Sequence, residues 1–304
     1  MSPASAPIAS VAVVGAGLMG RRIAGVMARA GLPTVITDAQ TTVLDAAVGD
    51  AQAMCPGQEE LVEASESLTG AVAGADLVIE AVVEDLDVKR QVFGAVRASA
   101  PDAVIATNSS VIPVSLMTVG LPGADRTVGM HWWNPPDLIP VVEVIRGEAT
   151  SQDTMERCFE VLTRVGKVPV RVERDVPGFV GNRLQHALWR EAINLVASGV
   201  CDAETVDLVV RNTIGLRLAE MGPIENADYV GLDLTLAIHS QVLPSINRDP
   251  HPSPYLEKLV TDGHLGAKTG SGFLTWPAGS REAAAARLSA HIQRQLASRI
   301  SNEN

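Results

Sequence analysis

Up to about residue 172, short runs of aliphatic and β-branched residues alternate with longer stretches whose apolar positions recur at helical spacing. Residues 8–14, 34–37, 77–79, 104–107, 127–130, 141–145 and 168–172 read as strands, with helices over 18–30 and 88–98 between them. Strands separated by helices imply an α/β architecture, a doubly wound parallel sheet covered on both faces. Beyond residue 176 the strand signal disappears. Residues 179–197 and 203–212 carry helical spacing, and Met221-Gly222-Pro223 and the segment 249–254 punctuate the rest of the chain. The pattern therefore predicts two domains, 1–176 and an all-helical 177–304, hinged at 174–177. The Ala-rich stretch 281–300 reads as an amphipathic helix used for packing or subunit contact. No repeat at solenoid periods is present.

Gly15-Ala16-Gly17-Leu18-Met19-Gly20 ends the first strand and opens the first helix, which makes the domain a Rossmann-type, dinucleotide-binding one. Gly15 permits the tight turn, Gly17 leaves room for a pyrophosphate, and Gly20 lets helix and strand approach. Asp38 stands 18 residues after Gly20, at the end of the second strand, where a carboxylate accepts ribose hydroxyls and repels a 2′-phosphate. Its neighbours Ala39 and Gln40 supply no cation, so NAD is expected rather than NADP. FAD, which shares the fingerprint, and a Gly-rich turn without a ligand are the alternatives.

His131 follows a predicted strand, the place where open α/β sheets bind ligands. Twelve residues later, Glu143 interrupts the apolar run 141–145, and a carboxylate buried there needs a partner. A Glu bonded to one imidazole nitrogen fixes the tautomer and raises the basicity of the other, which suits His131 as a general base. Trp132 and Trp133 either wall the cofactor pocket or pack beneath it, and packing is the reading adopted.

These residues, together with Asn108-Ser109-Ser110, Pro177-Gly178-Phe179-Val180-Gly181-Asn182-Arg183, Met221-Gly222-Pro223, Gly231-Leu232-Asp233 and Lys268-Thr269-Gly270-Ser271-Gly272-Phe273, resemble the 3-hydroxyacyl-CoA dehydrogenase family, including its branches that act on free hydroxy acids. The resemblance covers nearly the whole chain. It implies a hydride transfer between NAD and a secondary alcohol or its ketone, with His131 as base, Glu143 as its orienter, and Ser110 and Asn182 bonding the substrate oxygen. It also implies cofactor contacts from Glu84, Lys89, Asn134 and Lys268, and a homodimer.

Charge changes the substrate expected. With 24 basic and 35 acidic residues the net charge is −11, which disfavours nucleic acid and anionic membrane surfaces and leaves small molecules as partners. Between Arg29 and Lys89 stand twelve acids and no Lys or Arg. A polyanionic coenzyme A tail would be repelled there, so a compact hydroxy acid or alcohol is expected, with an L-3-hydroxyacyl-CoA dehydrogenase acting on the thioester as the alternative. A substrate carboxylate could meet Arg183, Arg190, Arg211 or Arg217. A non-catalytic dinucleotide sensor is the rival from another class. The opening residues 1–10 lack the flank and core of a secretory signal, and Cys55, Cys158 and Cys201 form neither a metal knuckle nor an even disulfide set. The cytoplasm is the expected home, and no metal is expected.

Overall fold

The structure, a computed structural model, describes residues 6–302; the first five positions of the 1–10 opening and the side chains that close the 281–300 stretch lie outside the described set. Two compact units divide the chain after Arg183.

The first unit is one eight-stranded sheet built from β1 (Val11–Val14), β2 (Thr34–Thr37), β3 (Val62–Ala64), β4 (Leu77–Glu80), β5 (Val104–Thr107), β6 (Thr127–Trp132), β7 (Val141–Ile145) and β8 (Val168–Val172). Their order across the sheet is β3-β2-β1-β4-β5-β6-β7-β8. β1 and β4 are buried along their whole length, as continuous apolar strands between two helical layers must be. On one face α1 (Leu18–Arg29), α2 (Leu44–Gln52) and, further along, α6 (Gln152–Arg164) enclose a core that includes Ile23, Met27, Met155 and Leu162. On the other, α3 (Leu68–Val72), α4 (Leu86–Ser99) and α5 (Val114–Thr118) close over Val72, Phe93, Val96 and Met117. Burial of each large side chain contributes roughly 1.5–3 kcal/mol.

The chain leaves β3 at one edge and returns to β4 on the far side of β1, so strand order reverses between β1 and β4, where the crevice of such folds opens. One expectation needs correction. β6 and β7 are antiparallel, whereas the other neighbours pair in parallel. The connection 133–140 contains no helix and is too short for the crossover that parallel pairing requires. The sheet is thus mixed, and its last strand, β8, protects an exposed edge with Pro169 and Arg171. β3 went unseen in the hydrophobic pattern because it is three residues long and only Val62 is buried.

The second unit continues α7 (Gly181–Ala197) and adds α8 (Ala203–Asn212), α9 (Ile214–Leu218), α10 (Pro223–Val230), α11 (Leu232–Val242), α12 (Pro254–Thr261) and α13 (Ser280–Asn302). It is helical apart from isolated bridges at Gly266–Ser271 and Ser271–Thr275. Asp202 caps α8 through the Thr205 amide at 2.8 Å, and Pro223 occupies the first turn of α10, where its missing N–H costs nothing. Among the described residues, no helix is long and apolar enough to cross a membrane.

Candidate active site

At the end of β1, the chain turns through Gly15, whose φ of +109° is open to glycine and strained for other residues. A Cβ on Gly15 would lie 2.5 Å from the carbonyl oxygen of Ala81, just past β4, and one on Gly20 would lie 1.8 Å from the Gly15 carbonyl oxygen. Around the Cβ position of Gly17 there is nothing within 4 Å. Two glycines therefore close the turn on itself and the third leaves open space at the start of α1, which is where the exposed amides of a helix N-terminus receive phosphate. Leu18 is exposed there, while Met19 packs on the core. Asp38 Oδ2 accepts the Ala16 amide at 2.7 Å and Oδ1 accepts the Gln40 amide at 2.8 Å. Each carboxylate oxygen keeps a lone pair for a ribose hydroxyl, so these residues fit a dinucleotide.

His131 lies inside β6, one residue beyond the strand end that the hydrophobic run suggested, and sits directly across the ladder from Glu143 of β7. Directly opposed residues project to the same face of an antiparallel pair, which is why a spacing of twelve brings them together. Both side chains are buried, and His131 Nδ1 and Glu143 Oε2 are 2.7 Å apart. Glu143 Oε1 accepts the amides of Val180 at 3.0 Å and Gly181 at 3.1 Å. Burial alone would push the Glu143 carboxyl up; the bond to His131 and the two amides outweigh it and hold the group below the ordinary carboxylate value. An ionised Glu143 accepts Nδ1–H and leaves Nε2 as the basic nitrogen, and Nε2 has no hydrogen-bond partner among the described residues.

Asn182, buried, donates from Nδ2 to the Ser110 carbonyl at 3.0 Å, so two of the expected substrate contacts are already tied to each other. The Ser110 hydroxyl has no partner among the described residues. Its loop is held from below by Glu84, whose Oε1 accepts the Ser109 hydroxyl at 2.5 Å and the amides of Ser110 at 3.0 Å and Val111 at 3.1 Å. Burial opposes ionisation of Glu84, but the Ser109 hydroxyl, Lys89 and the loop amides draw its carboxyl below the ordinary value. Lys89 is only 1% exposed; its ammonium lies 2.8 Å from Glu80 Oε1 and 3.3 Å from Glu84 Oε2, and Thr107 donates to Glu80 Oε2 at 2.7 Å. Glu84 and Lys89, expected at the cofactor, thus make their visible contacts beneath the Ser110 loop. Asn134 is exposed in the β6–β7 connection, and Lys268 is exposed in the bridged turn of the second unit.

Several residues of the motifs make supporting contacts that the sequence did not disclose. Asn108 Oδ1 accepts the Trp132 amide at 3.0 Å, joining β5 to β6. Trp132 is buried, as packing predicts, but Trp133 is half-buried with its ring centroid 5.0 Å from that of His131. A Cβ at Gly181 would stand 2.2 Å from Trp133 Cζ2, so the glycine is the space that the indole occupies. Gly181→Val is expected to displace Trp133 and lower kcat/KM by roughly 10–100-fold, a misplacement of about 1 Å beside the reacting groups being enough. Steady-state kinetics and the change in indole fluorescence would check it; an unchanged variant would show that the ring position is immaterial. Of the four arginines considered for a carboxylate, Arg190 shares a groove with His239 and Arg248 in the second unit.

The chain is similar along its length to proteins of known family. The NAD binding domain of the 3-hydroxyacyl-CoA dehydrogenase family matches residues 10–176, and the C-terminal domain of the same family matches 178–276. The 5-formyl-3-hydroxy-2-methylpyridine 4-carboxylate 5-dehydrogenase of Mesorhizobium japonicum is 34% identical over 285 residues, covering 88% of this chain and 91% of that protein. A probable 3-hydroxybutyryl-CoA dehydrogenase of Deinococcus radiodurans is 35% identical over 275 residues, covering 86% and 98%. A crystal structure of 5-formyl-3-hydroxy-2-methylpyridine 4-carboxylic acid 5-dehydrogenase, described as an NAD+-dependent dismutase, superposes with a TM-score of 0.89 at 31% identity, covering 96% of this chain and 98% of that one. Both domains of the family are present in order, a Gly-rich turn and Asp38 suit NAD, and the imidazole–carboxylate pair suits alcohol oxidation; the chain therefore belongs to the 3-hydroxyacyl-CoA dehydrogenase family and is an NAD-dependent dehydrogenase acting on CH–OH.

Proposed function

We propose that the substrate is a compact alcohol, a free hydroxy acid or an aromatic carbinol without a coenzyme A tail, and that His131 is its general acid/base. The observation that carries the first part is the acidic run between Arg29 and Lys89, in which Asp45, Glu60, Glu63, Glu66 and Asp87 are mostly exposed. The segment contributes no Lys or Arg of its own, and Arg21, which reaches it from α1, is paired with Asp50 at 2.7 Å, so a polyanionic tail laid over it would meet mainly repulsion. The similarity to a dehydrogenase named for a pyridine carboxylate points the same way.

Bound NAD supplies the hydride acceptor. His131 Nε2 takes the hydroxyl proton as the carbon–hydrogen bond weakens, and in the reverse direction the imidazolium returns it. Glu143 holds the ring and stabilises the charge that the ring acquires. The Ser110 hydroxyl and Asn182 amide serve the substrate oxygen, where charge builds in the transition state. Gly15, Gly17, Leu18, Met19, Gly20 and Asp38 hold the dinucleotide, with Asn134 and Lys268 as further contacts. Lys89 acts indirectly, by holding Glu84 under the Ser110 loop.

The helical part, residues 177–304, is assigned to substrate binding and to a homodimer, since Leu216, Ile224, Tyr229, Leu232 and Leu236 all expose more than half of their area, more apolar surface than an isolated unit usually leaves in water. Three free cysteines favour a reducing compartment, and the cytoplasm is our reading.

A spectrophotometric panel tests the substrate class. NADH formation or consumption is measured with 5-formyl-3-hydroxy-2-methylpyridine 4-carboxylate, free 3-hydroxybutyrate and 3-hydroxybutyryl-CoA. The expected result is a kcat/KM for one of the free acids at least about tenfold above the thioester, a difference of about 1.4 kcal/mol. A preference for the thioester would overturn the compact-substrate reading, and silence across the panel with NADH still bound would favour the sensor.

A further inference from the structure

The connection between β6 and β7 joins the strand of His131 to the strand of Glu143 and carries Asn134, yet it does little to hold itself. Its prolines at 135, 136 and 140 have no N–H to donate, and within it the amides of Leu138 and Ile139 share the Pro135 carbonyl at 3.1 and 2.9 Å. The carbonyls of Pro136 and Ile139 point instead to one side chain. Lys167, at the junction of α6 and β8, donates from Nζ to the first at 2.5 Å and to the second at 2.9 Å, and its ammonium stands 5.5 Å from the ring centroid of Trp132. It is 7% exposed. No carboxylate lies within ion-pairing distance of it among the described residues: Asp137, on the same connection, is bonded to Arg22 of α1 at 2.8 Å, and Arg29 at the end of α1 adds like charge.

A buried cation without an anion is costly and persists where carbonyl dipoles and an aromatic face replace its water. We propose that Lys167 is a positioning residue for the dehydrogenase: its ammonium clamps the Pro136 and Ile139 carbonyls and so fixes the hairpin from which His131, Asn134 and Glu143 project. The inference rests on the reading of His131 as base, but the clamp has signatures of its own.

Burial, with the charge of Arg29 adding to it and Asp137 opposing, pushes Lys167 from 10.5 down to about 8. Below that value the clamp is charged; above it the charge and one N–H are gone, and the neutral amine holds the two carbonyls more weakly. The effect on folding has the opposite sign. Between about 8 and 10.5 the unfolded chain binds more protons at this position than the folded one, so the contribution of Lys167 to stability rises with pH while the order of the hairpin falls.

The test uses full-length protein with Lys167→Met, Lys167→Arg and Trp132→Phe. The Trp132 component of the fluorescence, obtained as wild type minus Trp132→Phe, is expected to titrate with a midpoint near pH 8 and to stop titrating in both Lys167 variants. With the fastest substrate of the panel, Lys167→Met is expected to lose roughly 10–100-fold in kcat with KM little changed. Wild-type kcat is expected to decline above about pH 8 as the clamp loses its charge; Lys167→Arg, charged throughout this window, should recover part of the methionine variant's loss and abolish that decline. A wild-type kcat in Lys167→Met, or an alkaline decline that persists unchanged in Lys167→Arg, overturns the proposal. If Lys167→Met does not fold, the arginine variant alone decides. Were His131→Ala to keep its turnover while the fluorescence transition still depended on Lys167, the base assignment would fall and the clamp would stand.

Discussion

Replacing His131 with alanine is expected to lower kcat by roughly 10²–10⁴-fold while NADH affinity stays within about twofold. The ring is 3% exposed, with one nitrogen committed to Glu143, so its removal takes away the proton acceptor and little of any surface a dinucleotide could contact. Because the imidazole also packs 5.0 Å from Trp133 and 5.7 Å from Phe179, the alanine variant loses some packing as well. His131→Asn, which fills more of the space without an acid–base nitrogen, separates the two effects: it should melt nearer the wild type and turn over no better than the alanine variant. Steady-state kinetics beside an NADH fluorescence titration reads the result. Near-normal turnover in either variant would remove His131 from the chemistry.

Glu143→Gln is expected to cost about 10³-fold in kcat, and the reason is a conflict of donors. The two carboxylate oxygens of Glu143 receive three: His131 at Oε2, and the amides of Val180 and Gly181 at Oε1. A glutamine has one carbonyl. If that oxygen keeps the two backbone amides, the NH2 faces Nδ1, the ring must carry its proton on Nε2, and the nitrogen that should accept the substrate proton is already occupied. If the amide turns round, Nδ1 keeps its acceptor and two buried backbone donors face an NH2, at about 1–3 kcal/mol for each donor left unmet. Either orientation fails, by chemistry or by stability, and a thermal melt beside the kinetics tells which.

The same substitution has a pH signature. The folded Glu143 carboxyl is held below its ordinary 4.5, so its stabilising contribution is fully present above that value and is lost as pH falls through the lower folded value. Glu143→Gln has no such group to protonate. Below about pH 4.5 the wild type should therefore lose stability more steeply than the variant, and parallel acid-denaturation profiles would show that the carboxylate is not the multiply bonded group seen here.

Much of this site was legible in the chain. A Gly-rich turn between an apolar strand and a helix has few other uses, because Gly15 and Gly20 each stand where a single carbon would collide with backbone. An acidic residue inside the apolar run 141–145 had to find a partner, and His131, placed after a strand where such sheets bind ligands, offered an imidazole for it. Less legible were the supports. Glu84 and Lys89 carry charges that in a sequence look like cofactor contacts, yet the fold turns one under the Ser110 loop and buries the other between two carboxylates. Nothing local distinguishes Lys167 from a surface lysine. The boundary between the halves also shifted with scale: the family domains meet at 176–178, whereas the compact units divide after Arg183, because the Val180 and Gly181 amides and the Asn182 side chain are bonded to the first unit.

What the order of amino acids determined alone is whatever depends on near neighbours: strand and helix periods, the glycine turn, the carboxylate that closes β2 and the hydrophobic run that had to hide an acid. Direction and depth belonged to the tertiary structure. Whether β7 runs with or against β6, which makes His131 and Glu143 face each other, is decided by the short connection closing as a hairpin; Lys89 is buried against Glu80 and Glu84, and Lys167 against that same connection. Those outcomes depend on distances between residues far apart in the chain, and periodicity along the chain carries no record of them.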